Sequence, residues 1–498
     1  MGKLRDLSER ILAGSLDVRE HNPIAPMLCL EEVAPGAAFV SSFANVTAID
    51  TSEGLLLIDT GSFFLAAASK AMIQGYSKKR LHTALFTHGH VDHVFGVDLW
   101  EAEGGKAHVL AHEAVPRRFA RYRLTRGYNS CINSRQFQSQ TDFPVDFREP
   151  DQTFADPLTI DVGGERVEIH PAMGETDDHA WAYLPQKKLL CTGDLFIWAT
   201  PNAGNPQKVQ RYPRAWAEAL RAMSTLGAEV LCPGHGWPIF GGEAVRRALV
   251  ETAELLESLV SQTLALMNEG ARLDRVLGEV RAPAHLLERP YLRPVYDEPE
   301  FVVRNIWRQY GGWHDGNPAH LKPGSEQRLA EEVAALAGGA RKLADRAVVL
   351  SSQGDHAPAC HLIEMASLAA PADSGIWKTR TEIYRARAEV ETSLMARGIY
   401  SSAARGRRGR WAEPQCDARS LSASRCSLTD HQQPRRGTPW PTPVTTTRQP
   451  ARAQPISTLL PPTPPRRDAR SPMSRPRSRP RSARSPSLPT TRPPGRPP

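Results

Sequence analysis

Short apolar runs recur through the first half of the chain, each ending near glycine or polar residues. Ala38-Phe39-Val40, Val46-Thr47-Ala48-Ile49, Leu55-Leu56-Leu57-Ile58, Ala84-Leu85-Phe86-Thr87, His108-Val109-Leu110 and Val230-Leu231-Cys232 are such runs. Such short β-rich runs, several of them ending in polar or glycine-containing turns, read as strands. Trp216 to Leu226 has helical spacing and lies between strands, so residues 1–245 read as mixed α/β. From 246 to 400 the period changes. Leu255, Leu256, Leu259, Val260, Leu264 and Met267 fall on one helical face, and Gly270 supplies a stop. Further amphipathic helices are predicted near 325–337, 341–353, 358–369 and 376–396, with a less regular stretch from Pro290 to Pro323. This is a second, helical domain whose spare apolar faces suit an oligomer contact.

Beyond residue 400 the pattern disappears, which makes 401–498 a third region. From Arg405 onward the chain holds 20 of its 42 prolines, 20 arginines, no lysine and 4 acidic residues. Such a segment cannot bury enough apolar surface to offset its ordering entropy, so it is expected to be disordered. It carries +16 of charge, which leaves −8 on the rest against +8 overall. Arginine-rich segments can hold nucleic-acid phosphates, and that is the alternative from a different functional class. The simpler expectation is a solvated extension, or a shifted reading frame, with no nucleic-acid partner.

No apolar stretch approaches the roughly 20 residues of a membrane-spanning helix. The start, Met1-Gly2-Lys3-Leu4-Arg5-Asp6, has no apolar signal-peptide core, which leads to the expectation of a cytoplasmic protein. The cysteines are dispersed without a CxxC pair, against a disulfide framework or zinc ribbon. Cys191 and Cys232 sit in apolar runs and read as small core residues.

Candidate chemistry is concentrated in Thr87-His88-Gly89-His90-Val91-Asp92-His93, directly after a predicted strand. Imidazoles packed this closely repel when protonated and need partners when neutral. A metal resolves both problems. In an extended-to-turn conformation His88 and His90 point to one side while Asp92 and His93 reach a second position, suggesting two adjacent cations. A chance surface cluster is the bland alternative.

The HxHxDH run resembles the signature of the metallo-β-lactamase superfamily, and further elements follow in that family's order. Gly54-Leu55-Leu56-Leu57-Ile58-Asp59-Thr60-Gly61 is similar to its early strand ending in an aspartate that supports the metal loop. Gly174-Glu175-Thr176-Asp177-Asp178-His179 falls where Gly-His-Thr is usual, Cys191-Thr192-Gly193-Asp194 where the bridging aspartate stands, and Pro233-Gly234-His235-Gly236 at the last metal histidine. The resemblance implies an αββα sandwich followed by an all-α dimerisation domain. It also implies that His88, His90 and Glu175 hold one metal, that Asp92, His93 and His235 hold another, and that Asp194 bridges them. His179 is the rival of Glu175. Asp59 could instead be an ordinary turn residue.

A carboxylate at position 175, together with Glu288 to Tyr296 and Tyr310 to Ala319, resembles the alkylsulfatase branch of that superfamily over about residues 20–400. The implied activity is hydrolysis of an alkyl sulfate ester by a metal-activated hydroxide, with Asp92 and Asp194 orienting it. Two divalent ions, zinc first, would be the cofactors, and a homodimer the assembly. Other hydrolases of the fold act on lactams, lactones, thioesters or phosphoesters, and these remain the alternative. The branch usually has Glu at the bridging position, and its Ser-His-Asn is here Glu300-Phe301-Val302. With three ligand carboxylates the site would be near neutral, so an anionic ester with an apolar chain needs added cations. Lys208, Arg211, Arg214, Arg304 and Arg308 are the candidates, each of which could equally be a solvated surface charge.

Overall fold

The structure is a computed structural model, described here for residues 2–140 and 142–405. The expectation of a disordered tail, and the nucleic-acid reading attached to it, fall on 406–498, outside the described residues.

Two sheets stack face to face. The first runs in chain order: β1 (Cys29–Ala34), β2 (Ala37–Ser41), β3 (Val46–Thr51), β4 (Gly54–Ile58), β5 (Leu81–Leu85), β6 (His108–His112) and β7 (Gln152–Phe154). Pairing is antiparallel from β1 to β4 and parallel from β4 to β7. The second holds β8 (Leu158–Val162), β9 (Glu165–Ala172), β10 (His179–Leu184), β11 (Leu189–Gly193), β12 (Val230–Pro233) and β13 (Ile239–Phe240), and only β11 and β12 pair in parallel. Strand β4 shows why its run is apolar throughout. Leu56 and Ile58 enter the core between the sheets, while Leu55 and Leu57 enter a second core under the outer helices with Ile73, Trp100 and Phe119. Each such side chain contributes about 1.5–3 kcal/mol when fully buried.

Helices cover the outer faces. Trp216, Leu220 and Met223 of the helix Pro213–Met223, and Leu249, Leu256 and Leu259 of Gly242–Asn268, extend the same continuous apolar core from outside. The stretch expected to be irregular contains a helix, Pro299–Gly311, whose Val302, Val303 and Ile306 join that same core. Residues 334–384 instead build a small cluster of their own around Ala347, Ala359 and Ile363. The single helix expected over 376–396 is two, Ser374–Val390 and Leu394–Arg405. Ser393 sets the break. Its hydroxyl donates to the Tyr296 carbonyl at 2.9 Å and accepts from Ala396 N–H at 3.3 Å. The second helix is thereby turned against Arg126–Phe137, where Gln138 Nε2 donates to the Gly398 carbonyl at 2.6 Å. No described helix is long and apolar enough to cross a membrane. Cys191 and Cys232 are buried, unpaired by disulfide, and in register across β11 and β12.

Candidate metal centre

The candidate ligands lie at strand ends, where a change of chain direction exposes side chains that the sheet itself cannot use. The loop after β5 is fixed by Asp59, which ends β4 with φ +57°. Its Oδ1 accepts from the Thr87 N–H at 2.7 Å, and its Oδ2 accepts from Thr87 Oγ1 at 2.8 Å and faces His93 Nδ1 at 2.7 Å. That last contact turns His93 Nε2 inward, the arrangement by which an outer carboxylate orients a metal-binding imidazole. On the far side of the loop, the Gly89 N–H donates to Asp178 Oδ2 at 3.1 Å, and Arg118 Nε reaches the same oxygen at 2.7 Å. The loop bearing His235 is clamped by Asn45, whose Nδ2 donates to the Pro233 and Gly236 carbonyls at 3.0 and 3.2 Å. His235 Nδ1 pairs with the Phe43 carbonyl, leaving Nε2 free to turn inward. Gly234 is required by close approach, since a Cβ there would lie 2.0 Å from Asp194 Oδ1.

Two groups of donor atoms result. His88, His90, Glu175 and Asp194 form one, and Asp92, His93 and His235 the other, with the atoms of each group within 4.8 Å of one another. Asp194 touches both: Oδ2 lies 3.8 Å from His88 Nε2 and 3.4 Å from His235 Nε2, while Oδ1 lies 3.3 Å from His93 Nε2. Asp92 Oδ2 is 3.5 Å from His235 Nε2, and His90 Nδ1 is 3.7 Å from Glu175 Oε1. His179 belongs to neither group. Its ring stacks on His88 with centroids 4.6 Å apart.

The donor set fits cations. His93 Nε2, Glu175 Oε2 and Asp194 Oδ1, drawn from both groups, are buried without a hydrogen-bond partner, as atoms aimed at metal ions would be. Burial holds His88 and His90 well below the ordinary histidine range, in the neutral form that ligates. Burial, the largest single influence, opposes charge on His93 and His235, but the surrounding carboxylates, Asp194 foremost and Asp92 with it, together outweigh burial and raise both. Burial raises Glu175 well above the usual carboxylate range, against the pull of Arg211. Protons and one guanidinium thus stand in for the positive charge that this carboxylate set demands. The centre is a divalent-metal site.

The proposed anion clamp separates into parts. Arg211 is buried and bound to a ligand instead: Nη1 lies 3.0 Å from Glu175 Oε1 and also donates to the Glu175 carbonyl. Asn202 Nδ2 donates to the same carboxylate, a partner that sequence reading missed. Arg304 and Arg214 pair with Glu300 and Glu218 on exposed faces of their own helices. Arg308 is tied to Gln210 Oε1 and Asn305 Oδ1 at 3.1 and 3.0 Å. Lys208 Nζ donates to the neutral Asn133 Oδ1 at 2.8 Å, and burial and Arg211 lower its ammonium to about 7 against the attraction of Asp92 and Glu175.

The chain matches the metallo-β-lactamase superfamily over residues 41–235 and the alkyl sulfatase dimerisation family over 273–409. It is 28% identical over 333 residues to a linear primary-alkylsulfatase of a Pseudomonas species, covering 62% of either chain. An (R)-specific secondary-alkylsulfatase of Pseudomonas is 28% identical over 367 residues, 66% of this chain and 55% of that one. The solved stereoselective inverting sec-alkylsulfatase Pisa1 of Pseudomonas superposes with a TM-score of 0.69 at 26% identity, covering 75% of this chain and 64% of that one. The chain therefore spans less than two thirds of the length of these relatives. Within that span, it is a metallo-β-lactamase superfamily domain joined to an alkyl sulfatase dimerisation domain.

Proposed function

We propose that this protein is a dinuclear metal-dependent hydrolase of alkyl sulfate esters. The observation that carries the reading is the pair of ligand groups sharing Asp194. His88, His90 and Glu175 would hold one ion and Asp92, His93 and His235 the second, with Asp194 within reach of both. His179 packs behind His88. Zinc suits four imidazoles, and three carboxylates leave manganese or iron as competitors. When bound, the ions supply the Lewis acidity that makes water nucleophilic near neutral pH and stabilises charge on the leaving oxygen.

The chain's own residues do the rest. Asp92 and His90 are the most exposed ligands, at 18% and 16% of their side chains, and mark the open face. Asp92 orients the nucleophile there through its carboxylate. Asp59 and the Phe43 carbonyl keep His93 and His235 in the required tautomers. Lys208 holds the sulfate. It is a cation with a neutral partner beside Arg211, so an arriving anion relieves repulsion and restores its charge. The relatives' names support a sulfate ester over a lactam or phosphoester. The matched dimerisation region supports a homodimer, through exposed apolar residues such as Leu329 and Leu336.

The test is a panel of alkyl sulfates, phosphate monoesters, lactams and thioesters offered to metal-reconstituted protein. Release of inorganic sulfate should dominate. Turnover confined to a lactam or thioester would replace the proposed substrate while keeping the metal centre.

A further inference from the structure

Beside His235 stands a run of phenylalanines that neither the metal centre nor the core accounts for. The Phe43 ring meets the His235 imidazole edge-on, with centroids 5.5 Å apart. Phe64 lies 5.2 Å from Phe43, Phe137 lies 6.3 Å from it, and Phe63 is 5.0 Å from Phe64. Phe63 and Phe64 are 40% and 52% exposed, a tandem of large apolar side chains open to water. Scattered exposed apolar residues are ordinary, but a contiguous patch against a polar site marks a binding surface.

The wall is held rigidly. Phe63 and Phe64 sit in the turn after Asp59-Thr60-Gly61, where the Thr60 N–H donates to the His93 carbonyl at 2.8 Å and the Ala66 N–H to the Ser62 carbonyl at 2.8 Å. Phe43 is locked between β2 and β3 by the Asn45 clamp, with the Ser42 N–H donating to Asn45 Oδ1 at 3.1 Å. Phe137 ends the helix Arg126–Phe137, exactly one helical step of four from Asn133, the residue that holds Lys208. Residues four apart share a helix face, with Cβ atoms about 5–6 Å apart. A cationic contact and an apolar one are therefore set side by side next to the metal ligands.

We propose that Phe43, Phe63, Phe64 and Phe137 form the subsite for the apolar chain of the substrate, starting at His235 and leading outward over Phe64 and Phe63. The inference rests on the hydrolase reading for the identity of the head group and goes beyond it by fixing where the chain lies. It makes Phe63 and Phe64 determinants of chain-length preference. No new bond chemistry is involved.

The experiment uses the full chain loaded with metal. Hydrolysis of n-alkyl sulfates from butyl to dodecyl is measured alongside calorimetric binding of the matching n-alkyl sulfonates, whose C–S bond is not a substrate. In the parent protein both kcat/KM and sulfonate affinity should climb with length, by up to about fourfold per methylene. In the double variant Phe63→Ala, Phe64→Ala the loss should grow with chain length, leaving less than about twofold per methylene. Leu124→Ala, at an 85% exposed position, should keep the parent slope and serves as control. An unchanged slope in the double variant overturns the subsite. If the parent cleaves no sulfate, the hydrolase reading fails instead, and the sulfonate slopes still decide the wall: lost in the double variant they uphold it, absent from the parent they refute it.

Discussion

The metal-bearing sandwich and the helical region from 318 to 405 are built to different standards. In the sandwich the inner strands β2 to β5 and β10 to β12 are buried on both faces, and the loops that carry the ligands are tied down by named hydrogen bonds, from Asp59 to Asn45. The helical region has a small, alanine-rich cluster, and Leu321, Leu329, Leu336, Val348 and Val349 remain open to water. The contrast shows where rigidity is needed. Ligands must be preorganised within fractions of an ångström, which takes dense packing and outer hydrogen bonds. A helical region that meets a second copy can leave its apolar faces for that contact.

The largest expected effect is on the sandwich alone. Asp92→Ala should lower hydrolysis by at least about a thousandfold while the unfolding midpoint stays within a few degrees. Turnover near that of the parent would sink the two-metal assignment. Chelation comes next. Stripping metal should lower the melting temperature of the sandwich, since an ion at a thousand times its Kd stabilises by about 4 kcal/mol. Readdition should restore it, and a melt indifferent to metal would show that the ligand set is not a binding site. Glu175→Ala should cost one equivalent of metal, measured by elemental analysis, whereas His179→Ala should retain both; the reverse result exchanges their roles.

Lys208 gives a smaller effect with a definite sign. Its ammonium is lowered to about 7, so it is charged below that pH and neutral above it. Affinity for an anionic substrate should hold steady in acid and fall about tenfold per unit above neutrality. Lys208→Met should remove this dependence and raise KM at pH 6; an identical profile in the variant excludes Lys208 from the anion site. The smallest effect on the isolated fold should come from Leu336→Glu, at a position 90% exposed. It should change the stability of a single chain by under about 0.5 kcal/mol yet shift sedimentation toward monomer. An unaltered oligomeric state would move the dimer contact elsewhere.

Local pattern was enough for several parts of this protein. The apolar run Leu55 to Ile58 predicted a strand, and the helical spacing from Leu255 to Met267 predicted a helix; both are present. Three imidazoles and a carboxylate between His88 and His93 pointed to a cation, because such a cluster is costly to bury without one, and the fold brings all four into the two candidate ligand groups. All of these depend on neighbours in sequence, and periodicity records such neighbours directly.

Only the tertiary structure decided the rest. Arg211 looked free for substrate and is instead bonded to Glu175, a partner 36 residues away. Gly89 is anchored by Asp178 across 89 residues, and His235 by Phe43 across 192. The helix expected to continue through 396 breaks because Ser393 finds the carbonyl of Tyr296, 97 residues earlier. The physical reason is common to all four. A charged or hydrogen-bonding group takes whichever partner the folded chain brings within about 3 Å, and that choice leaves no periodic trace.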